Sequence, residues 1–160
     1  MRSLILISVT AAALATGQAR AQDTEPVNGQ ARALAWAHDD PSLEWGPCPE
    51  FLPEGCALVV LHGDPDGSDA DIFFRVPGGA SIARHRHTAA ERMTLVSGRL
   101  RITYDGHDPI DLTPGMYAYG PAGLPHEGEC APGPDCVLFI AFDGPVDAIE
   151  VEGGDAGHGP

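Results

Sequence analysis

The chain has 160 residues, 43% of them hydrophobic and only 6% aromatic, with 20 Gly and 15 Pro. That length accommodates one domain, and so many turn-forming residues speak against a helical bundle. Nine arginines, no lysine and 23 acidic residues set the net charge at −14. A lysine Schiff base, a Walker-type phosphate loop with its Gly-Lys-Ser/Thr and a nucleic-acid-binding surface are thereby excluded.

Residues 1–21 read as a signal peptide. Arg2 supplies the positive start, Leu4 to Ala15 form an apolar run too short to span a bilayer, and Ala19-Arg20-Ala21 is a small-x-small site before Gln22. Cleavage removes Arg2 and Arg20, so the exported chain is more acidic still and is expected to be soluble, in the periplasm or secreted. Residues 22–44 are polar and acidic without periodicity and are expected to be a flexible leader, with Trp36 and Trp45 anchoring its end against the core. Export also sets how the cysteines read. Cys48 and Cys56 bracket one Pro-rich stretch and Cys130 and Cys136 another. Of the three possible pairings, local closure is expected, Cys48–Cys56 and Cys130–Cys136. A zinc site is the weaker alternative, because no C-x-x-C spacing is present.

Beyond Cys56 the chain consists of short apolar runs divided by turn signals. The runs are Ala57–Leu61, Ile72–Val76, Ala80–His87, Met93–Val96, Leu100–Tyr104, Met116–Tyr119, Val137–Phe142 and Val146–Val151. Asp105-Gly106 marks a hairpin turn, and Pro77-Gly78-Gly79 and Pro114-Gly115 mark breaks. The pattern predicts an all-β domain over residues 45–152. Residues 153–160 are expected to be a disordered tail, with His158 incidental. The acidic stretch from Asp64 to Asp71 superficially suggests calcium but lacks the spacing and closing Glu of an EF-hand, so a solvated turn is the better reading.

Two histidines, His85 and His87, lie two residues apart on a predicted strand and so project to one face. Glu91 follows after a turn that can bring it back beside them, and His126 comes 35 residues later. Three imidazoles and a carboxylate suit a borderline divalent metal. Alone, the His-x-His pair would read as a surface pair. Strand alternation further predicts Ser81 and Ala83 on the inward face with the histidines, Arg84 and Arg86 pointing away, and Met93 and Leu95 on the face of Glu91. His62 and His107 fall in turns and read as structural or exposed.

The spacing around these residues resembles the cupin superfamily. Gly79, five residues, His85-x-His87, three residues, Glu91, six residues and Gly98 are similar to the first cupin motif. Gly115, five residues, Pro121-x-Gly123, two residues and His126 are similar to the second, and 16 residues (99–114) separate them. The terminal Asn of the second motif is replaced by Cys130, consistent with a disulfide there. Over Trp45 to Val151 the chain is similar to single-domain exported bacterial cupins related to the cupin domains of zinc-binding anti-sigma factors. The resemblance implies a double-stranded β-helix barrel, jelly-roll-like, with metal ligands His85, His87, Glu91 and His126 and a small-molecule cavity at its mouth. It also implies a homodimer.

The function expected on this basis is a small-molecule metalloenzyme of dioxygenase, decarboxylase, lyase or isomerase type. Its cofactor would be one divalent transition metal (Fe, Mn, Zn, Ni or Cu). Exported cupins that cleave dimethylated sulfonium acids carry tyrosines near the first motif's Glu, where this chain has Arg92-Met93. A non-catalytic periplasmic metal-binding or sensing protein is the alternative, and carbohydrate recognition is a weaker one given the scarcity of aromatics. Tyr117 and Tyr119 share one strand face and are the catalytic candidates outside the metal centre, with packing at the rim the plainer role.

Overall fold

The computed structural model describes residues 33–152, all of it strand, turn and loop. The stretches expected to be a signal peptide (1–21), a leader (its part up to residue 32) and a tail (153–160) lie outside the described residues. Eleven strands form: β1 (Gly46–Pro47), β2 (Ala57–His62), β3 (Ala70–Val76), β4 (Ser81–Arg86), β5 (Glu91–Ser97), β6 (Leu100–Tyr104), β7 (Ile110–Leu112), β8 (Tyr117–Gly120), β9 (His126–Cys130), β10 (Cys136–Phe142) and β11 (Ile149–Glu150). They make two antiparallel sheets, ordered β1-β2-β3-β10-β5-β8 and β11-β4-β9-β6-β7. The fold is the all-β jelly-roll barrel expected. No described helix is long and apolar enough to cross a membrane.

The main core lies between the sheets. Val60, Ile72, Leu95, Leu100, Leu112, Leu138 and Phe142 are buried there, and hydrophobic burial of such side chains is the chief term holding the sheets together. A second cluster covers the outer face of the larger sheet: Val59, Leu61, Phe73 and Val137 pack with Leu43, Trp36, Trp45 and Phe139. Adjacent residues of β2 and β10 thus feed opposite cores, Val60 and Leu138 the inner, Val59 and Val137 the outer. That is why these strands read as continuous apolar runs instead of alternating ones.

The N-terminal segment supplies the outer cover. It was expected to be flexible up to residue 44, but Leu43 is buried and Trp36 packs against the sheet, while Arg75 stacks over the Trp45 ring at 4.3 Å. Large apolar side chains outweigh the polar composition around them, and within the described residues the two tryptophans anchor this segment.

Both local disulfides are present, Cys48–Cys56 and Cys130–Cys136, with Cα–Cα distances of 5.7 and 5.9 Å. The second joins the end of β9 to the start of β10 and so ties one sheet to the other. Gly98 precedes this junction with φ +80°, and a Cβ there would lie 2.7 Å from Asp135 O and 2.8 Å from Cys136 Cα. Only glycine fits both the backbone conformation and the contact.

Candidate metal centre

His85 sits on β4, His87 just beyond its end, Glu91 opens β5 and His126 opens β9. Strand register converges them. His85 pairs with His126 across β4 and β9, and His126 pairs with Tyr104 across β9 and β6. Glu91 lies between Phe142 of β10 and Gly120 of β8. The turn at Thr88–Ala90 returns the chain so that Glu91 stands beside the histidines, and its start is fixed by the Thr88 amide donating to the Asp147 carboxylate at 2.9 Å.

All four side chains are buried, Glu91 at 2% exposure. One ring nitrogen from each of His85, His87 and His126 lies within 4.8 Å of the other two, so the three can hold a metal ion. Glu91 is 3.5 Å from His87 Nε2 and 3.3 Å from His126 Nε2. The Nδ1–H groups point outward and donate to backbone carbonyls: His85 to Ala83 at 2.8 Å, His126 to Leu124 at 3.3 Å, and His87 to Asp147. Such bonds place the proton on Nδ1 and leave each Nε2 lone pair facing the centre, the arrangement metal-binding histidines use.

Electrostatics fit the same purpose. Burial pulls His85 down to about 4 and His126 down to about 3, and it lowers His87 as well. The imidazoles are therefore neutral and available as donors near pH 7. Burial pushes Glu91 up to about 8, opposed by the nearby Tyr104 hydroxyl. Its Oε1 is buried without a hydrogen-bond partner. An ionised carboxylate so placed carries a desolvation penalty of several kcal/mol unless a cation compensates it. Three neutral imidazoles and an orphaned carboxylate oxygen form a donor set that fits a divalent transition metal.

The centre opens onto a cavity of about 130 Å³, large beside the roughly 10–15 Å³ that one water needs by the same measure. Its walls are mostly apolar, with Ile72, Phe74, Met93, Leu138 and Ile140 from the strands. Pro49 and Leu52 come from the loop closed by Cys48–Cys56, and Val146 to Ala148 from the segment before β11. Phe51 of the same loop has its ring 6.2 Å from that of His85.

Two expectations need correction, and the facing of Tyr117 and Tyr119, which the sequence left open, is settled between them. Simple alternation put Ser81 inward, yet Ser81 is exposed and Ile82 lines the cavity with His85. The cause is an irregularity in the β4–β9 ladder. Ile82 opposes Gly128 and His85 opposes His126, so three steps on β4 meet two on β9. A β-bulge of this kind shifts the face by one residue, and Ala83 and Arg84 within it are both half-buried. Tyr117 and Tyr119 are 61% and 52% exposed. Ala118 and Gly120 are the inward residues of β8, opposite Met93 and Glu91, so the tyrosines point out of the barrel and line no part of the metal cavity. The second correction is that strand Val146–Val151 shrinks to Ile149–Glu150, because Val146 to Ala148 instead form cavity wall. Met93 and Leu95 do share the inward face of Glu91, as alternation predicts.

Two residues of the centre escaped the sequence reading. Tyr104 is buried, its ring 5.1 Å from His126; the alternation of Leu100, Ile102 and Tyr104 carried the signal. Gly120 is required by close approach, since a Cβ there would lie 2.5 Å from Glu91 Oε1 and 2.7 Å from its Cγ. His62 and His107 are exposed, and the His107 ring bonds to the Asp105 carbonyl.

Comparison with known proteins agrees with this geometry. Residues 72–142 match the cupin domain family, and the jelly-roll barrel that holds them is a cupin fold. Among curated proteins none matches significantly. Similar solved structures include the DMSP lyase DddQ of Ruegeria pomeroyi, at TM-score 0.60 and 22% identity over 70% of this chain and 64% of that one. The polyketide cyclase RemF of Streptomyces resistomycificus matches at TM-score 0.60 and 20% identity over 77% of this chain and 89% of that one. The Rhodobacter sphaeroides complex of SigE with the anti-sigma ChrR matches at TM-score 0.51 and 20% identity, over 66% of this chain and 52% of that one. The chain spans less than two thirds of the length of the lyase it matches. At these identities the likeness establishes the fold.

Proposed function

We propose that this chain is an exported small-molecule metalloenzyme in which His85, His87, Glu91 and His126 bind one divalent transition metal, Fe, Mn, Zn, Ni or Cu. The observation that carries the reading is the buried, unpartnered Oε1 of Glu91 among three imidazoles whose Nε2 atoms are free of other bonds. When bound, the metal supplies Lewis-acid polarisation or, for a redox-active ion, electron transfer to an oxygen-donor substrate. The protein does the rest. The carbonyls of Ala83, Asp147 and Leu124 fix the imidazole tautomers, and the apolar walls exclude water from the reacting end of the ligand. Reactions of dioxygenase, decarboxylase, lyase and isomerase type all fit such a centre.

A non-catalytic metal-binding or sensing role is the second reading. It is favoured by the small number of ionisable groups along the cavity outside the four residues. Glu127 is exposed, and the Asp147 carboxylate is already engaged by the Thr88 amide. Export to the periplasm or beyond is supported by the two disulfides, which persist in oxidising compartments. We also place a homodimer interface at the edge strands β7 and β8.

Elemental analysis of protein exported by a native-like host tests the central reading. One equivalent of metal per chain is expected, with loss in Glu91→Gln and in His126→Ala. Full retention of metal by either variant would overturn the assignment. Turnover by the loaded protein separates enzyme from sensor.

A further inference from the structure

The charge and polarity of the cavity walls limit what the centre can take. The described residues hold six arginines, Arg75, Arg84, Arg86, Arg92, Arg99 and Arg101, and none lines the cavity. Arg84, Arg92 and Arg101 are paired at the surface with Asp105, Asp143 and Asp111, and Arg75 lies on Trp45. There is no lysine. Among the described residues, the only positive charge available to a ligand in the cavity would be the metal itself, already partly offset by Glu91. The charged side chains nearest the walls, Glu127 and Asp147, are acidic.

A second negative charge on a ligand would therefore be buried without a counter-charge, at a cost of several kcal/mol. A polyhydroxylated ligand fares no better, because Leu52, Ile72, Phe74, Met93, Leu138 and Ile140 offer its hydroxyls no partners. An apolar body gains on the same surfaces. The cavity, about 130 Å³, seats roughly one substituted ring or a short branched chain against these walls.

We infer that the ligand of this centre is a small, largely apolar molecule carrying at most one negative charge. It presents one or two oxygen donors at a single end, as an enolised 1,3-dicarbonyl or a catechol does. Polycarboxylates, phosphorylated molecules and free sugars are disfavoured. This rests on the metal-centre reading above and sharpens it to a substrate class.

A matched pair of probes tests the inference. Acetylacetone and malonate offer the same spacing of oxygen donors, but one binds as an apolar monoanion and the other as a polar dianion. The full exported chain is loaded with Co(II), whose visible absorption reports a new ligand, and both probes are titrated with retained cobalt measured alongside. Each affinity is taken relative to that for free Co(II). Acetylacetone is expected to be favoured over malonate by about ten-fold or more, the effect of one uncompensated polar or charged group. In Leu52→Arg, a change on the disulfide-closed loop, the preference should shrink or invert. Equal or tighter binding of malonate by the wild-type protein would overturn the inference and leave the metal centre intact. If Co(II) does not bind, or neither probe alters its spectrum, the metalloenzyme reading fails and the inference falls with it.

Discussion

Tyr104 and His126 oppose each other in the register of β6 and β9, with their rings 5.1 Å apart. The Tyr104 hydroxyl is buried with no hydrogen bond of ordinary geometry. Its effect falls on Glu91, which it draws toward the charged form while Glu91 and burial together push the phenol well above its usual range. Tyr104 thus packs its ring against the imidazole, with its hydroxyl near enough to Glu91 to favour the charged carboxylate. Tyr104→Phe keeps the packing and removes the hydroxyl. We expect metal affinity to fall by about ten-fold or more, as for other groups that orient metal ligands, with little change in Tm of the metal-free protein. Competition with a chelating dye reads the affinity. An unchanged value would show that the hydroxyl does not act on Glu91.

The buried cluster also makes stability depend on pH in a way that metal should alter. Glu91 is raised in the fold to about 8 from 4.5. Between those values the unfolded chain ionises first, so the metal-free protein loses stability as pH rises through that window. The histidines act oppositely. His85 and His126 are depressed from 6.5 to about 4 and about 3, so their contribution is full above pH 6.5 and is lost as pH falls through the window below it. Metal-free protein should therefore be most stable near pH 6.5 and decline on both sides. Metal binding compensates the Glu91 charge, so the increase in Tm on adding metal should grow from about pH 6.5 to about pH 8. Thermal unfolding with and without metal across that range checks it; a metal-induced shift that shrinks with rising pH contradicts the assignment.

The loop between Cys48 and Cys56 carries Pro49 and Leu52 onto the cavity wall. Closing a loop of this size stabilises a fold by about 2–3 kcal/mol. Cys48→Ser combined with Cys56→Ser should lower Tm by roughly 5–10 °C. More telling is the split between metal and ligand. None of the three histidines or Glu91 lies on this loop, so metal stoichiometry should hold while ligand affinity falls. Loss of both would mean that the loop supports the centre itself.

The legible part of the molecule was the part written as spacing. His85, His87, Glu91 and His126 stood at fixed intervals between glycines, and the structure brings them together. β9 was missed as a strand because its sequence, His-Glu-Gly-Glu-Cys, has no apolar alternation. Its inward residues are His126, Gly128 and Cys130, a candidate metal ligand, a close-approach glycine and a disulfide partner. The bulge in β4 was invisible for a different reason: it depends on the register with β9, which no local pattern carries. Gly120 belongs with these, since its need for a missing Cβ arises from Glu91 on another strand.

The two sheets end together at β7 and β8, and the exposed large hydrophobics of the described residues all gather there. Ile110 lies on β7, Tyr117 and Tyr119 on β8, and Met116 immediately before it. An edge strand offers unpaired amides and carbonyls, and one flanked by exposed apolar side chains is poised for pairing. A second copy of the chain can meet it by antiparallel self-pairing, which gives the closed two-fold contact of a dimer. Tyr117→Asp combined with Tyr119→Asp would place like charges across that axis on an already acidic protein. We expect the wild-type chain to sediment as a dimer and the double variant as a monomer. Metal content should be unchanged, because both side chains point away from the cavity. A wild-type chain that stays monomeric at high concentration would rule the interface out.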